Sequence, residues 1–155
     1  MSDKLLLPNA YKPIGWGLLI PATIVGLMLI LSDFDELGLK MKVFAIFNNE
    51  LTGPGRWFSV IKTDIVNTIV GILFIVGAMF VGFSKEKKED EFISKIRLKS
   101  LLWAVWVNYV LLILGFLLVY NMAFLNVMMY NMFTVLIIFI TRFNYILYKN
   151  NKTES

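Results

Sequence analysis

The chain has 155 residues, of which 58% are apolar and 17% charged, with a formal net charge of +4. Soluble domains run nearer roughly 45–50% apolar and ~25% charged, and a chain of one-domain size cannot hide that excess; the composition marks an integral membrane protein. Cys and His are both absent, which excludes disulfides, thiol or imidazole ligation of metal or haem, and a Cys or His nucleophile or base.

The first apolar run, residues 14–31, follows a flank carrying Lys4 and Lys12. A spanning helix needs about 20 mostly apolar residues at ~1.5 Å rise, and this run meets that length. It exceeds a signal-peptide core, and no small-x-small cleavage pattern follows it, so it is expected to stay as a helix. Pro21 inside it removes one backbone donor and predicts a kink.

The loop 32–64 has 33 residues and its own pattern. Its acids Asp33, Asp35 and Glu36 read as a solvated helix exit. In 38–47, Leu39, Met41, Val43, Ala45 and Phe47 alternate with Lys40, Lys42, Phe44 and Ile46. A period of two predicts a strand. The stretch 48–55, NNELTGPG, is rich in turn formers, and 56–61 can return as a second strand. An isolated hairpin is marginal in water, so it needs support from helix ends, membrane or partner. Trp57 and Phe58 are its candidate docking surface.

The second run, 65–83, is preceded by Thr63 and Asp64 as an N-cap. The charged stretch 84–100 follows. Glu86, Glu89, Asp90 and Glu91 open it and Lys95, Arg97 and Lys99 close it. That order complements a helix dipole, and Glu91 with Lys95 forms an i,i+4 pair. The stretch is expected to be helical and to run into the third span, with Glu89, Glu91, Lys95 and Arg97 as a candidate surface for a cytoplasmic partner. The third run is 101–120. The fourth is 122–148, with an aromatic end.

None of the four core runs contains a carboxylate, and the positive-inside count sets their direction. Two basic residues lie in the N-terminal flank, six in 84–100 and three toward the C-terminus, eleven in all. Four lie in loop 32–64. Both termini are therefore expected in the cytoplasm and the hairpin outside. The basic residues are interleaved with acids, so they imply contact with anionic lipid and no nucleic-acid partner.

Lipid gives no hydrophobic drive for helix association, so small and polar residues mark contacts. They recur at Gly15, Ala22 and Gly26, and at Asn67, Gly71, Ile75, Ala78 and Gly82. They recur again at Ala104, Asn108 and Gly115, and at Asn131, Thr134, Ile138, Arg142 and Tyr145. The fold class expected is an all-α membrane protein: one antiparallel four-transmembrane-helix bundle with a small extracytoplasmic β-hairpin between helices 1 and 2. A homodimer face on one stripe is the alternative use. Counted from Lys99 and Lys149, Asn108 and Arg142 fall at similar depth, with Asn144 nearby. Buried amide and guanidinium groups need partners, so these three form the candidate intramembrane polar cluster. Asn67, Asn126 and Asn131 are a second candidate set near the opposite helix ends.

Missing groups narrow the function. Small multidrug exporters need a membrane-embedded Glu, quinone-linked disulfide enzymes need Cys, and bis-His cytochromes need His. Intramembrane proteases need Ser-His or HExxH chemistry. Dual-topology fluoride channels lack so strong a charge bias. A non-catalytic protein without cofactor or metal remains. The expectation is a signalling, regulatory or partner-binding membrane module, with a membrane or cytoplasmic protein partner or a homo-oligomer. The alternative is an oligomeric channel or carrier for a neutral or anionic solute, lined by Asn108, Asn131, Thr134 and Arg142.

Two stretches carry a resemblance: 83–109, FSKEKKEDEFISKIRLKSLLWAVWVNY, and 130–148, YNMFTVLIIFITRFNYILY. They resemble a group of uncharacterised four-span inner-membrane proteins from Bacteroidota-type bacteria. The resemblance implies four spans in a bacterial inner membrane and carries over no activity.

Overall fold

The computed structural model describes residues 5–32, 40–48 and 53–154. Six elements follow in order: α1 (Tyr11–Leu31), β1 (Lys40–Asn48), β2 (Arg56–Asp64), α2 (Ile65–Phe83), α3 (Glu91–Leu118) and α4 (Met122–Glu154). All four helices are long and apolar enough to cross a membrane. The acids Asp33, Asp35 and Glu36, the start of the expected first strand and the centre of the turn lie outside the described residues. The chain divides into two compact units, one of 1–19 with 75–155 and one of 20–74.

In the unit 20–74, β1 and β2 pair antiparallel from Lys40↔Asp64 to Asn48↔Arg56. The strands extend past the expected ends because period-two alternation continues through Thr63. The ladder skips Ile46 and Phe58, where Phe58 takes φ 54°. Asp64 ends β2 and caps α2: its Oδ1 accepts from the Val66 N–H at 3.0 Å. An orphan helix donor is thereby satisfied, and α2 begins where the sequence predicts. Gly26 of α1 lies beside Val70 of α2, with room for a methyl group at ordinary contact distance.

In the other unit, α1 and α2 cross at Gly15 and Gly77. A Cβ on Gly15 would stand 2.8 Å from Val81 N, and one on Gly77 would stand 2.8 Å from Leu19 N. Backbone thus meets backbone, the contact that small residues permit in membrane helices. Gly82 leaves space for the Phe139 ring of α4, whose edge would lie 2.6 Å from a Cβ there. Phe139 stacks with Phe143 at 6.0 Å, and both are fully buried.

Two expectations need correction here. The stripe Asn131, Thr134, Ile138, Arg142 and Tyr145 marks only part of the packed surface of α4, with Asn131 and Arg142 turned to α3. Phe139, Ile140 and Phe143 are buried, while Tyr145 is 64% exposed. The glycine notch on α2 selects an aromatic ring, which the rule of small residues does not anticipate. The charged stretch also becomes helical later than expected. Leu7 bridges Ser84, its N–H donating to Phe83 O at 2.9 Å and its carbonyl accepting from Lys85 N at 2.8 Å. That pairing holds the chain extended after α2. Asp90, with φ −130° and ψ 178°, then caps α3 by accepting from the Ile93 N–H at 2.9 Å. Glu86 and Glu89 therefore lie outside the helix.

Candidate functional site

Three groups of residues carry chemistry, and each sits where an element ends or two elements meet. The first is built around Arg97, in the second turn of α3. Its guanidinium donates to Glu89 through Nη1 at 2.6 Å and Nη2 at 3.3 Å, and Nη2 also reaches Ser84 O at 3.1 Å. The group lies over the Phe143 ring, 4.9 Å from its centroid. Glu89 accepts a further hydrogen bond from its neighbour Glu86 N–H at 2.8 Å. The two side chains are only 8% and 11% exposed, so the pair is held away from solvent and its charges interact strongly. Burial is the largest influence on the Glu89 carboxyl and raises its pKa. Hydrogen bonds from Arg97 and Glu86, with the charges of Arg97 and Lys85, outweigh it and hold the pKa below its ordinary 4.5. Arg97 Nε and the Ser84 and Ser100 hydroxyls are buried without a partner among the described residues.

The four residues expected to form a partner surface thus separate. Glu89 and Arg97 face each other inside the fold. Glu91 and Lys95 are exposed, and no ion pair joins them among the described residues. The sequence shows Glu89 and Arg97 at a spacing of eight, near two turns of helix, and so hides the contact. It becomes reachable because 84–90 folds back as a loop. Beside it, Asn9 donates to Lys85 O at 2.6 Å and Lys12 pairs with Glu86. These bonds tie the start of α1 to the α2–α3 link.

The second group lies between α3 and α4. Asn108 Nδ2 donates to Asn131 Oδ1 at 2.9 Å, and Asn131 Nδ2 donates to Asn108 O at 3.4 Å. Ala104, Asn108 and Gly115 are buried on one face of α3, as their spacing predicts. The partner of Asn108 is not the expected one. Arg142 lies over Trp103 at 4.3 Å, and Asn144 donates to Ile140 O of its own helix at 2.8 Å. No hydrogen bond joins Asn108, Arg142 and Asn144 among the described residues. The cause is register. The tight link Val119–Asn121, with Asn121 at φ 62°, sets α3 against α4. Asn108 lies ten residues before Leu118 and Asn131 nine after Met122, so the link brings them level. Charge boundaries at Lys99 and Lys149 do not reveal that register.

The third group is the hairpin. Directly opposed residues share a face. One face carries Met41, Val43, Ala45 and Phe47 with Trp57, Ser59 and Ile61. The other carries Lys40, Lys42, Phe44 and Asn48 with Arg56, Val60, Lys62 and Asp64, the acid standing opposite Lys40; Ile46 joins it by strand alternation and Phe58 by packing on Phe44. All four cations of loop 32–64 therefore stand on one face, and Lys42 lies directly opposite Lys62. Trp57 and Phe58 are 67% and 68% exposed. They belong to opposite faces: Trp57 packs on Phe47 at 4.9 Å, and Phe58 on Phe44 at 6.2 Å. Comparison with protein-family models, with curated proteins and with solved structures finds no match to this chain.

Proposed function

We propose that this chain is a non-catalytic partner-binding module of a bacterial inner membrane, of the signalling or regulatory kind. Four antiparallel spans would place both termini in the cytoplasm and the hairpin outside, as the charge bias and the resemblance to four-span inner-membrane proteins both favour. The observation that carries the reading is the basic, aromatic face of the hairpin. Like charges directly opposite on a sheet destabilise it, yet Lys42 faces Lys62. Phe58 adds a left-handed φ that a bulky residue rarely adopts. Local strain of this kind concentrates at functional sites. Phe44, Ile46, Phe58 and Val60 are each exposed on that face. Cations and exposed aromatic rings together suit a partner protein whose surface is acidic with an apolar centre. A second copy fits less well, because a two-fold contact would bring two basic faces together.

The channel or carrier reading draws less support. Asn108 and Asn131 bond each other, and Arg142 lies on Trp103, so these groups are partly engaged within the chain, while Asn108 Oδ1 and Arg142 Nε are buried without a partner among the described residues.

The test is a photo-crosslinking residue at position 58 in the full chain in its native membrane. The expected result is an adduct with one protein. It should be lost in K42E/K62E and kept in K42R/K62R. Adducts that are only lipid, or that ignore the charge reversal, would overturn the proposal.

A further inference from the structure

A cleft opens where the start of α1, the α2–α3 link and the last turns of α4 come together. Its volume is about 710 Å³ and it is broadly open to its surroundings. Lys12, Lys87 and Lys88 line it, against the single carboxylate of Glu86. Glu86 is already engaged by Lys12, so Lys87 and Lys88 bring positive charge that nothing in the cleft neutralises. The amides of Asn9 and Asn151 add polar groups, and Pro13, Trp16, Ile93 and Leu147 supply apolar wall. The cleft sits at the ends of helices long and apolar enough to cross a membrane. Trp16 is of the residue type that settles at the headgroup level.

We propose that this cleft binds a phosphoryl group whose negative charge no cation on the same molecule balances, carried by an anionic phospholipid or present as free phosphate. Lysine binds phosphate as a point charge with three donors. Basic pockets between membrane helices suit phospholipid head groups. The apolar wall gives the glycerol and first acyl carbons a surface that free phosphate does not use, so the lipid is the favoured source. This site is independent of the hairpin and its partner.

The full chain, purified in a neutral detergent, is titrated separately with phosphatidylglycerol, phosphatidylcholine and inorganic phosphate. Native mass spectrometry counts what stays bound. Phosphatidylglycerol should be retained and phosphatidylcholine should not. Lys87 and Lys88 are exposed, so K87Q/K88Q should leave the fold intact. At ~1 kcal/mol for each lysine, binding should weaken about 30-fold. K87R/K88R should restore it. K95Q/K99Q removes the same charge from exposed α3 positions outside the cleft and should change binding by less than about 3-fold. Retention of inorganic phosphate with the same lysine dependence would support the phosphoryl site and assign it to a soluble source. Equal loss in K95Q/K99Q, or equal retention of phosphatidylcholine, would overturn the proposal.

Discussion

The buried pair of Glu89 and Arg97 makes a sharp energetic prediction. In E89Q the side chain keeps its shape but loses its charge. Arg97 then holds a buried charge with only an amide oxygen, Ser84 O and the Phe143 face beside it. Breaking a buried ion pair by removing one partner costs about 3–5 kcal/mol. With side chains 8% and 11% exposed, the lower end applies, about 3 kcal/mol. R97M retains an apolar stem against Phe143 and strands the Glu89 carboxylate, at a similar cost. The double variant E89Q/R97M removes both charges. It should cost about 3 kcal/mol rather than the sum of about 6, a coupling near 3 kcal/mol. The assay is reversible unfolding in mixed micelles by titrated SDS, run on the wild type and all three variants. Additivity within about 0.5 kcal/mol, or single losses below about 1 kcal/mol as for a solvent-exposed pair, would show that the two charges are not coupled inside the fold.

Acid should act through the same carboxylate. Its folded pKa lies below its ordinary 4.5, so its stabilisation is complete above that value and disappears as pH falls through the lower one. The stability gap between wild type and E89Q should hold steady above the ordinary carboxylate value and narrow progressively as pH falls below it; a gap that widens in acid would contradict the sign. At the α1–α2 crossing, G15A should cost about 1–3 kcal/mol, because its Cβ would meet Val81 N at 2.8 Å. G17A, with nothing within 4 Å of its Cβ, should be neutral or slightly stabilising, and equal effects in SDS unfolding would dismiss the crossing. N108L should lose about 0.6–1.7 kcal/mol, the range for polar contacts between membrane helices. N131L should not add to it, and additive losses would dismiss the Asn108–Asn131 bond.

Each helix and the hairpin were legible from local sequence. A spanning helix is selected by the transfer free energy of its own residues, so apolar runs suffice to locate α1 to α4. The hairpin follows from alternation between Lys40 and Thr63, and the start of α2 from Asp64 as its cap. The face of α3 bearing Ala104, Asn108 and Gly115 follows from helical spacing alone. Tertiary structure decided the partners. Asn108 meets Asn131 because the α3–α4 link sets their register. Gly77 meets α1 because two backbones approach there. Glu89 reaches Arg97 because Leu7 holds the preceding link extended. Entry of a segment into lipid is a sum over its own residues, which sequence lists in full. The choice of contact between helices depends on rotation and register, which arise from residues far apart in the chain.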